Sequence, residues 1–297
     1  MNSNIIFLGN NEATLKSLIQ CNINIKAVIY ENNHDLKHTG VYDNAVKSKG
    51  GTVIEIPKDN KTKLLEAIKN FPPPDMFLIS YFTVLPKEAL SIPKKIINIH
   101  PSMLPYYKGP HPIKWALING EKKIGVSFMT ITETVDTGGI YYQFSIDVTD
   151  KDNYLTLFNK TNKLIDKHLC KIISRVLNEE LVPKKQEGCG SYFPKLSKDI
   201  RYINFLKMTA RDIFNLTRSQ IKYGGVITTY NQKRIEFDIS NVFIENKIID
   251  KPGTILKISL SNTGQYDIIV QCIKGQILFR SNNIIFQNIN EGECLGT

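Results

Sequence analysis

The chain has 297 residues, 42% of them hydrophobic, and a formal net charge of +10. That is enough for one large domain or two ordinary ones with a real core, and no apolar run is long enough to span a bilayer, which argues against a membrane protein. The positive excess would suit an anionic partner, but the lysines are spread along the chain and a lysine-rich composition accounts for them. Met1–Asn4 leads straight into an apolar run without the charged and apolar regions of a signal peptide. Five cysteines (Cys21, Cys170, Cys189, Cys272, Cys294) are scattered and form no C-x-x-C. They predict neither a disulfide framework nor a zinc site, and a reducing, cytoplasmic setting.

Ile5–Leu8 reads as a strand, followed by Gly9-Asn10-Asn11 and a helix with Leu15, Leu18 and Ile19 on one face. Asn10 or Asn11 fits as its N-cap. Gly9 and Asn10 are candidates for contact with a substrate phosphate through main-chain N–H groups, although one glycine is not a dinucleotide fingerprint. Ala27–Tyr30 is a strand, Glu31–Gly40 a polar loop and Val41–Ser48 a helix. Thr52–Ile56, Asn60–Phe71 and Met76–Ser80 read as strand, helix and strand. Alternation at this spacing implies a Rossmann-like α/β fold: a twisted, mostly parallel sheet with helices on both faces. Ile96–His100 is a further strand, Pro112–Ile118 a short helix, and Gly125–Thr132 and Ile140–Val148 strands. Asn153–Leu177 is a long amphipathic helix. Pro183–Ser197 is polar and Gly/Lys-rich and reads as a linker, dividing the chain into residues 1–197 and 198–297. Thr209-x-x-Asp212 predicts a capped helix through Ser219. After Gly224-Gly225 come five short strands: Val226–Tyr230, Arg234–Phe237, Thr254–Ser259, Tyr266–Cys272 and Gln276–Phe279. They suggest a small, OB-like β-barrel.

The chemistry is expected at the end of Ile96–His100. Asn98 and His100 lie one residue apart, so a strand aims both at one side. Pro101 and Pro105 stiffen the loop behind them. Asp136, in Thr134-Val135-Asp136-Thr137-Gly138-Gly139, sits between two strands and would reach His100 if the first lies beside Ile96–His100. A carboxylate near an imidazole orients it and favours its charged form. An amide and an imidazolium, both donors, suit an oxyanion formed during acyl transfer. Ser102 leaves a Ser-His-Asp hydrolase open, but no G-x-S-x-G elbow is present, and His100 with Asp136 is too small a set for a metal.

Asn98-x-His100, Ser102–Pro105, Lys108-Gly109, and Gly125-Val126-Ser127 followed by Asp136-Thr137-Gly138 together resemble the folate-dependent formyltransferases. This family includes enzymes acting on methionyl-tRNA, glycinamide ribonucleotide and nucleotide-linked amino sugars. The C-terminal third is similar to the small barrel-like domain of the tRNA enzymes and some sugar enzymes. The resemblance implies N10-formyltetrahydrofolate as co-substrate and no metal. An amine attacks the formyl carbon, Asn98 and protonated His100 hold the oxyanion, and Asp136 orients His100 and helps take the amine's proton. By the same pattern Phe82, Thr83, Val84 and Leu85, with the backbone of Ile131, Thr132 and Glu133, hold the pterin, and Lys108 faces the acceptor's phosphate or ribose. Tyr106, Tyr107 and His111 are candidate acceptor contacts, while His34, His38 and His168 are read as surface.

About 100 residues beyond the first domain speak against glycinamide ribonucleotide as acceptor. The tRNA enzymes carry a basic insertion after the second strand, whereas Glu31–Gly40 offers a single lysine, and nucleic-acid affinity rests on phosphate neutralisation. The expected acceptor is therefore a dTDP-, UDP- or GDP-linked amino sugar, for surface polysaccharide synthesis, with methionyl-tRNA as the alternative and a non-catalytic binding relative as a third reading. A homodimer is left open.

Overall fold

The computed structural model describes residues 3–32, 38–237, 239–243, 248–262 and 264–296, without the side chains of 239–243 and 284. The large sheet is built from β1 (Asn4–Gly9), β2 (Asn24–Asn32), β3 (Thr52–Pro57), β4 (Met76–Ser80), β5 (Lys95–His100), β6 (Lys123–Met129) and β7 (Ile140–Asp147). Their order is β3-β2-β1-β4-β5-β6-β7. The first five strands pair in parallel, and β6 runs antiparallel to β5. The helices between them are α1 (Glu12–Gln20), α2 (Asp43–Lys47), α3 (Lys61–Lys69) and α4 (Pro112–Ile118), and α5 (Tyr154–Leu177) follows β7.

Strand residues divide by parity between two cores. Phe7, Leu78, Ile97, Ile99 and Phe128 share one with Leu15 and Leu18 of α1 and Ile165, Leu169 and Ile173 of α5. Ile6, Leu8, Phe77, Ile79 and Ile96 share the other with Leu64 and Ile68 of α3. Apolar residues on both sides of every central strand are what a helix-covered parallel sheet requires. Strand order reverses between β1 and β4, so the crevice at the carboxyl ends of β1, β4 and β5 is where such a sheet receives ligands.

The chain forms two compact units. One comprises Met1–Gly109, Lys123–Ile146 and Asn159–Phe193; the other comprises Pro110–Lys122, Asp147–Phe158 and Pro194–Thr297. In the second, the Thr209 hydroxyl accepts from Asp212 N and the Asp212 carboxylate accepts from Thr209 N, so the expected capping box starts α6 (Ala210–Ser219). The smaller β-rich body consists of a hairpin, β8 (Val226–Tyr230) with β9 (Lys233–Phe237), and a four-stranded antiparallel sheet. That sheet holds β10 (Ile239–Phe243), β11 (Ile255–Leu260), β12 (Tyr266–Gln271) and β13 (Gln276–Ser281). Phe237, Ile268, Phe279 and Phe286 fill its core against Ile213 of α6. The sequence reading omitted β10, whose Ser240 and Asn241 interrupt the apolar run. No helix among the described residues is long and apolar enough to cross a membrane.

Three expectations change. Cys21, at the C-cap of α1, and Cys170, on α5, are joined in a disulfide with Cα atoms 5.1 Å apart; their 149-residue separation hid the pairing. His38 is not on the surface. Its ring stacks on Tyr30 with centroids 3.9 Å apart, and its Nε2 lies 2.7 Å from Asp43 Oδ1. His168 is half-buried against Phe144, with centroids 4.0 Å apart. His34 lies outside the described residues.

Candidate functional site

β5 presents Asn98 and His100 on the face shared with Ile96, at its carboxyl end. The antiparallel register sets Asn98 opposite Met129 and His100 opposite Ser127. Asn98 is half-buried, and its side chain makes no hydrogen bond among the described residues. His100 is 6% exposed and held from both sides: Nε2 lies 2.9 Å from the Tyr107 carbonyl oxygen, and Nδ1 lies 3.6 Å from Asp136 Oδ2. A carbonyl only accepts, so Nε2 carries the hydrogen in that contact. Asp136 Oδ2 also accepts from Gly109 N at 2.8 Å. The structure thus brings Asp136 to His100, and Asn98 lies two residues before His100 on the same face of β5.

The loop after β5 is fixed by Ser127. Its hydroxyl donates to Ser102 O (2.6 Å) and accepts from Leu104 N (3.2 Å) and Gln143 Nε2 (2.8 Å). Ser102 Oγ donates to Tyr106 O at 2.8 Å. It therefore points along its own loop, and a serine nucleophile for a hydrolase is not set up. Tyr107 and Asp136 both adopt left-handed backbone conformations, with φ of 58° and 52°. Such conformations in residues other than glycine concentrate at functional sites.

The candidate pterin contacts differ among themselves. Phe82 and Ile131 are partly buried against the α3-side core, and Leu85 belongs to that core at 7% exposure. Thr83 Oγ1 donates to Asp59 Oδ1 at 2.6 Å. Val84 is exposed. Thr132 Oγ1 donates to Thr134 O at 3.1 Å, and Glu133, itself exposed, pairs with Lys87 at 2.8 Å. Phe82 and Ile131 thus add an apolar edge to the core on the face of the sheet that also carries Ile96. Among the described residues no cluster of three or more His, Cys, Asp or Glu could hold a metal ion.

Gly9 ends β1, and the main-chain N–H of Asn10 after it donates to Tyr81 O at 3.2 Å. A Cβ on Gly9 would lie 2.1 Å from the Ser80 carbonyl oxygen. Asn10 is 1% exposed, donates to Glu31 O at 2.6 Å and accepts from Glu31 N at 3.1 Å, so it braces β1 against β2. On the acceptor side, Tyr106 is 57% exposed and Lys108 partly so. The Tyr107 ring stacks on Phe193, with centroids 4.8 Å apart. His111, in the second unit, precedes α4 with φ of 65°.

What the sequence reading missed is the role of the supposed linker. Lys184 exchanges two main-chain hydrogen bonds with Ile140, of 2.7 and 2.9 Å. Gln186 Nε2 donates to both Asp136 O and Gly138 O at 2.8 Å. Ser191 O accepts from Lys108 N, and Ser191 Oγ accepts from Tyr107 N, each at 2.9 Å. Residues 184–193 thus form a strap bonded to both site loops. Polar composition alone gives no signal of this.

Residues 13–173 match the family model for formyl transferase, and residues 195–284 match its C-terminal domain. The methionyl-tRNA formyltransferase of Thermodesulfovibrio yellowstonii is 34% identical over 267 residues, covering 86% of this chain and 85% of that protein. That of Malacoplasma penetrans is 32% identical over 282 residues, covering 91% and 88%. Among solved structures, the N-formyltransferase from Helicobacter canadensis with folinic acid and dTDP-3-aminofucose has a TM-score of 0.70 at 22% identity, over 95% of this chain and 100% of that one. HypX from Aquifex aeolicus with tetrahydrofolic acid has a TM-score of 0.65 at 15% identity, over 94% and 44%. At those identities the structural likeness is one of fold, whereas the sequence matches run through both parts of the chain: it belongs to the formyl transferase family of folate-dependent enzymes.

Proposed function

We propose that this enzyme transfers a formyl group from N10-formyltetrahydrofolate to the amine of a nucleotide-linked amino sugar, supplying surface polysaccharide synthesis. The co-substrate brings the activated formyl carbon. Asn98, whose amide has no partner among the described residues, donates to the oxygen that gains charge during acyl transfer, and His100 supplies the second donor. In the reaction the charged formyl oxygen takes the place of the Tyr107 carbonyl at Nε2. Asp136 fixes the ring through Nδ1 and helps carry the acceptor's proton, and His100 gives a proton to the folate nitrogen as its bond to the formyl carbon breaks. Phe82–Leu85 and residues 131–133 are assigned to the pterin, and Tyr106–Lys108 with His111 to the acceptor. A cytoplasmic setting is inferred from the nucleotide-linked acceptor alone, since the Cys21–Cys170 disulfide removes the cysteine argument for it.

The observation that carries the sugar reading is the segment after β2. Thr39 N, Thr39 Oγ1 and Gly40 N all donate to the Glu12 carboxylate, and His38 lies against Asp43 and Glu12. Among the described residues of this segment the donors are paired with carboxylates, whereas a phosphate reader needs unpaired cations. A second reading, methionyl-tRNA as acceptor, is favoured by the 34% identity to a methionyl-tRNA formyltransferase through both parts of the chain. The two separate in one assay: N10-formyltetrahydrofolate is supplied with dTDP-, UDP- and GDP-linked amino sugars and with charged initiator tRNA. Formylation of a sugar nucleotide is expected, and formylation of the tRNA alone would sink this reading. With the active acceptor, Asn98→Ala, His100→Ala and Asp136→Ala should each lose roughly 10²–10⁴-fold in kcat while folding normally.

A further inference from the structure

We infer that Gln186, on the strap, is a positioning residue for Asp136, so that seating the strap and placing the carboxylate are one event. The inference rests on the catalytic reading of Asp136 given above. Asp136 holds a left-handed backbone (φ 52°) in the loop 134–139, where every residue but Gly138 is exposed or half-buried. Such a turn keeps one geometry only if its surroundings impose it. Gln186 does so from outside: its two amide hydrogens meet the carbonyl oxygens of Asp136 and Gly138, both at 2.8 Å, and span the residue whose carboxylate faces His100. The opposite atom, Gln186 Oε1, is buried without a hydrogen-bond partner among the described residues. The side chain therefore sits where it serves the two carbonyls rather than where its own acceptor is satisfied. Turning the amide over would set Oε1 against two carbonyl oxygens, so its orientation is determined. The Oδ2 geometry follows: with the Asp136 main chain held, Oδ2 receives Gly109 N at 2.8 Å and lies 3.6 Å from His100 Nδ1. Gln186 touches neither folate nor acceptor in this scheme and acts only through Asp136.

The test compares Gln186→Met, which keeps the shape and loses both donors, with Gln186→Glu, which donates only when protonated. Kinetics are measured across pH with N10-formyltetrahydrofolate and whichever of a dTDP-linked amino sugar or charged initiator tRNA the enzyme formylates. Gln186→Met should lose about 10²-fold in kcat with little change in either KM, the loss expected when a catalytic group is misplaced by about an ångström, and its melting midpoint should stay within a few degrees. Gln186→Glu should match it near neutrality, where its carboxylate repels both carbonyls. Its kcat relative to Gln186→Met should then climb as pH falls and the carboxyl regains a hydrogen. Wild-type kcat in Gln186→Met, or a pH-independent ratio of the two variants, overturns the inference. Asp136→Asn distinguishes the levels. If it is crippled while Gln186→Met is normal, only the positioning role fails; if it turns over normally, the catalytic reading falls with it.

Discussion

At Gly138 a Cβ would stand 1.9 Å from the Thr130 carbonyl oxygen, so the loop carrying Asp136 folds back on the end of β6 only because no side chain intervenes. This explains why a glycine follows Asp136 so closely, and why that pattern was legible in sequence. Asn98 and His100 were legible for a different reason, the two-residue period of a strand. Gln186 was not, because its partners lie 50 and 48 residues away and nothing in Lys184-Lys185-Gln186-Glu187 points to them. Gly9 and Asn10 were read as main-chain contacts for a phosphate because a loop after the first strand can serve one; in the structure the Asn10 main-chain N–H donates to Tyr81 O. Glu31 itself supports a prediction. It is 2% exposed at the end of β2, and its carboxylate accepts from Asp59 N at 2.9 Å. Burial, the largest influence, pushes its carboxyl above the usual range against the pull of that hydrogen bond. A raised acid favours folding fully below its unfolded pKa, and the advantage is lost as pH rises through the folded value. Glu31→Gln keeps the acceptor oxygen without the buried charge. It should therefore be more stable than wild type at pH 7, with the gap closing as pH falls through the carboxylate range. Urea unfolding at a series of pH values measures this, and a pH-independent difference would count against it.

At the level of elements, Met76–Ser80, Pro112–Ile118 and Val226–Tyr230 match the sequence reading at both ends. In each, an apolar run or a helix-starting proline marks the boundary. The hairpin turn Asn231-Gln232 was also readable, and both residues take positive φ, 47° and 63°, as a tight two-residue turn demands. Pairings between distant elements were not readable, and the Cys21–Cys170 bond is the clearest case. It ties the end of α1 to α5, two helices that cover the same face of the sheet. Closing a loop of 149 residues restricts the unfolded chain strongly, by about 5 kcal/mol on the loop-entropy relation. Reduction of the oxidised protein with dithiothreitol should therefore lower its unfolding midpoint, and Cys21→Ser should show a low midpoint with or without reductant. Of the other thiols, Cys272 does not confuse this. Cys272 is fully buried, and burial, with Asp212 adding to it, pushes its thiol up to about 12. If reduction leaves the wild-type midpoint unmoved, the staple contributes nothing to stability.

For the whole molecule, the order of folding units differs from the order of the chain. Composition suggested a cut at the polar stretch ending at Ser197. The second compact unit nevertheless draws on Pro110–Lys122 and Asp147–Phe158, both well before that point. The physical reason lies in α4 and in the turn before α5. Ile118 packs on the core containing Ile213 and Leu216 of α6. A Cβ on Gly120 would stand 2.9 Å from Asn215 Nδ2. Arg218 of α6 is 7% exposed; it donates to Thr149 O at 2.9 Å, to Asp152 O at 3.3 Å and, through Nε, to Asn215 Oδ1 at 3.1 Å. Burial, ahead of its charged neighbours, draws the Arg218 guanidinium below its ordinary range, but three acceptors keep it satisfied. A chain ending at Ser197 would keep α4 and residues 147–158 while removing α6. It would uncover Ile118 and leave the Thr149 and Asp152 carbonyls without that guanidinium. Such a truncated protein should bind a hydrophobic dye, self-associate and melt well below the full chain, even though every residue of the Asn98, His100 and Asp136 cluster is retained. Arg218→Met in the full chain should produce a milder version of the same destabilisation, on the order of 3 kcal/mol, because it leaves the acceptors but removes their donor. A 1–197 chain that is monomeric, does not bind the dye and melts with the full-length midpoint would show that the segments before Ser197 fold without α6.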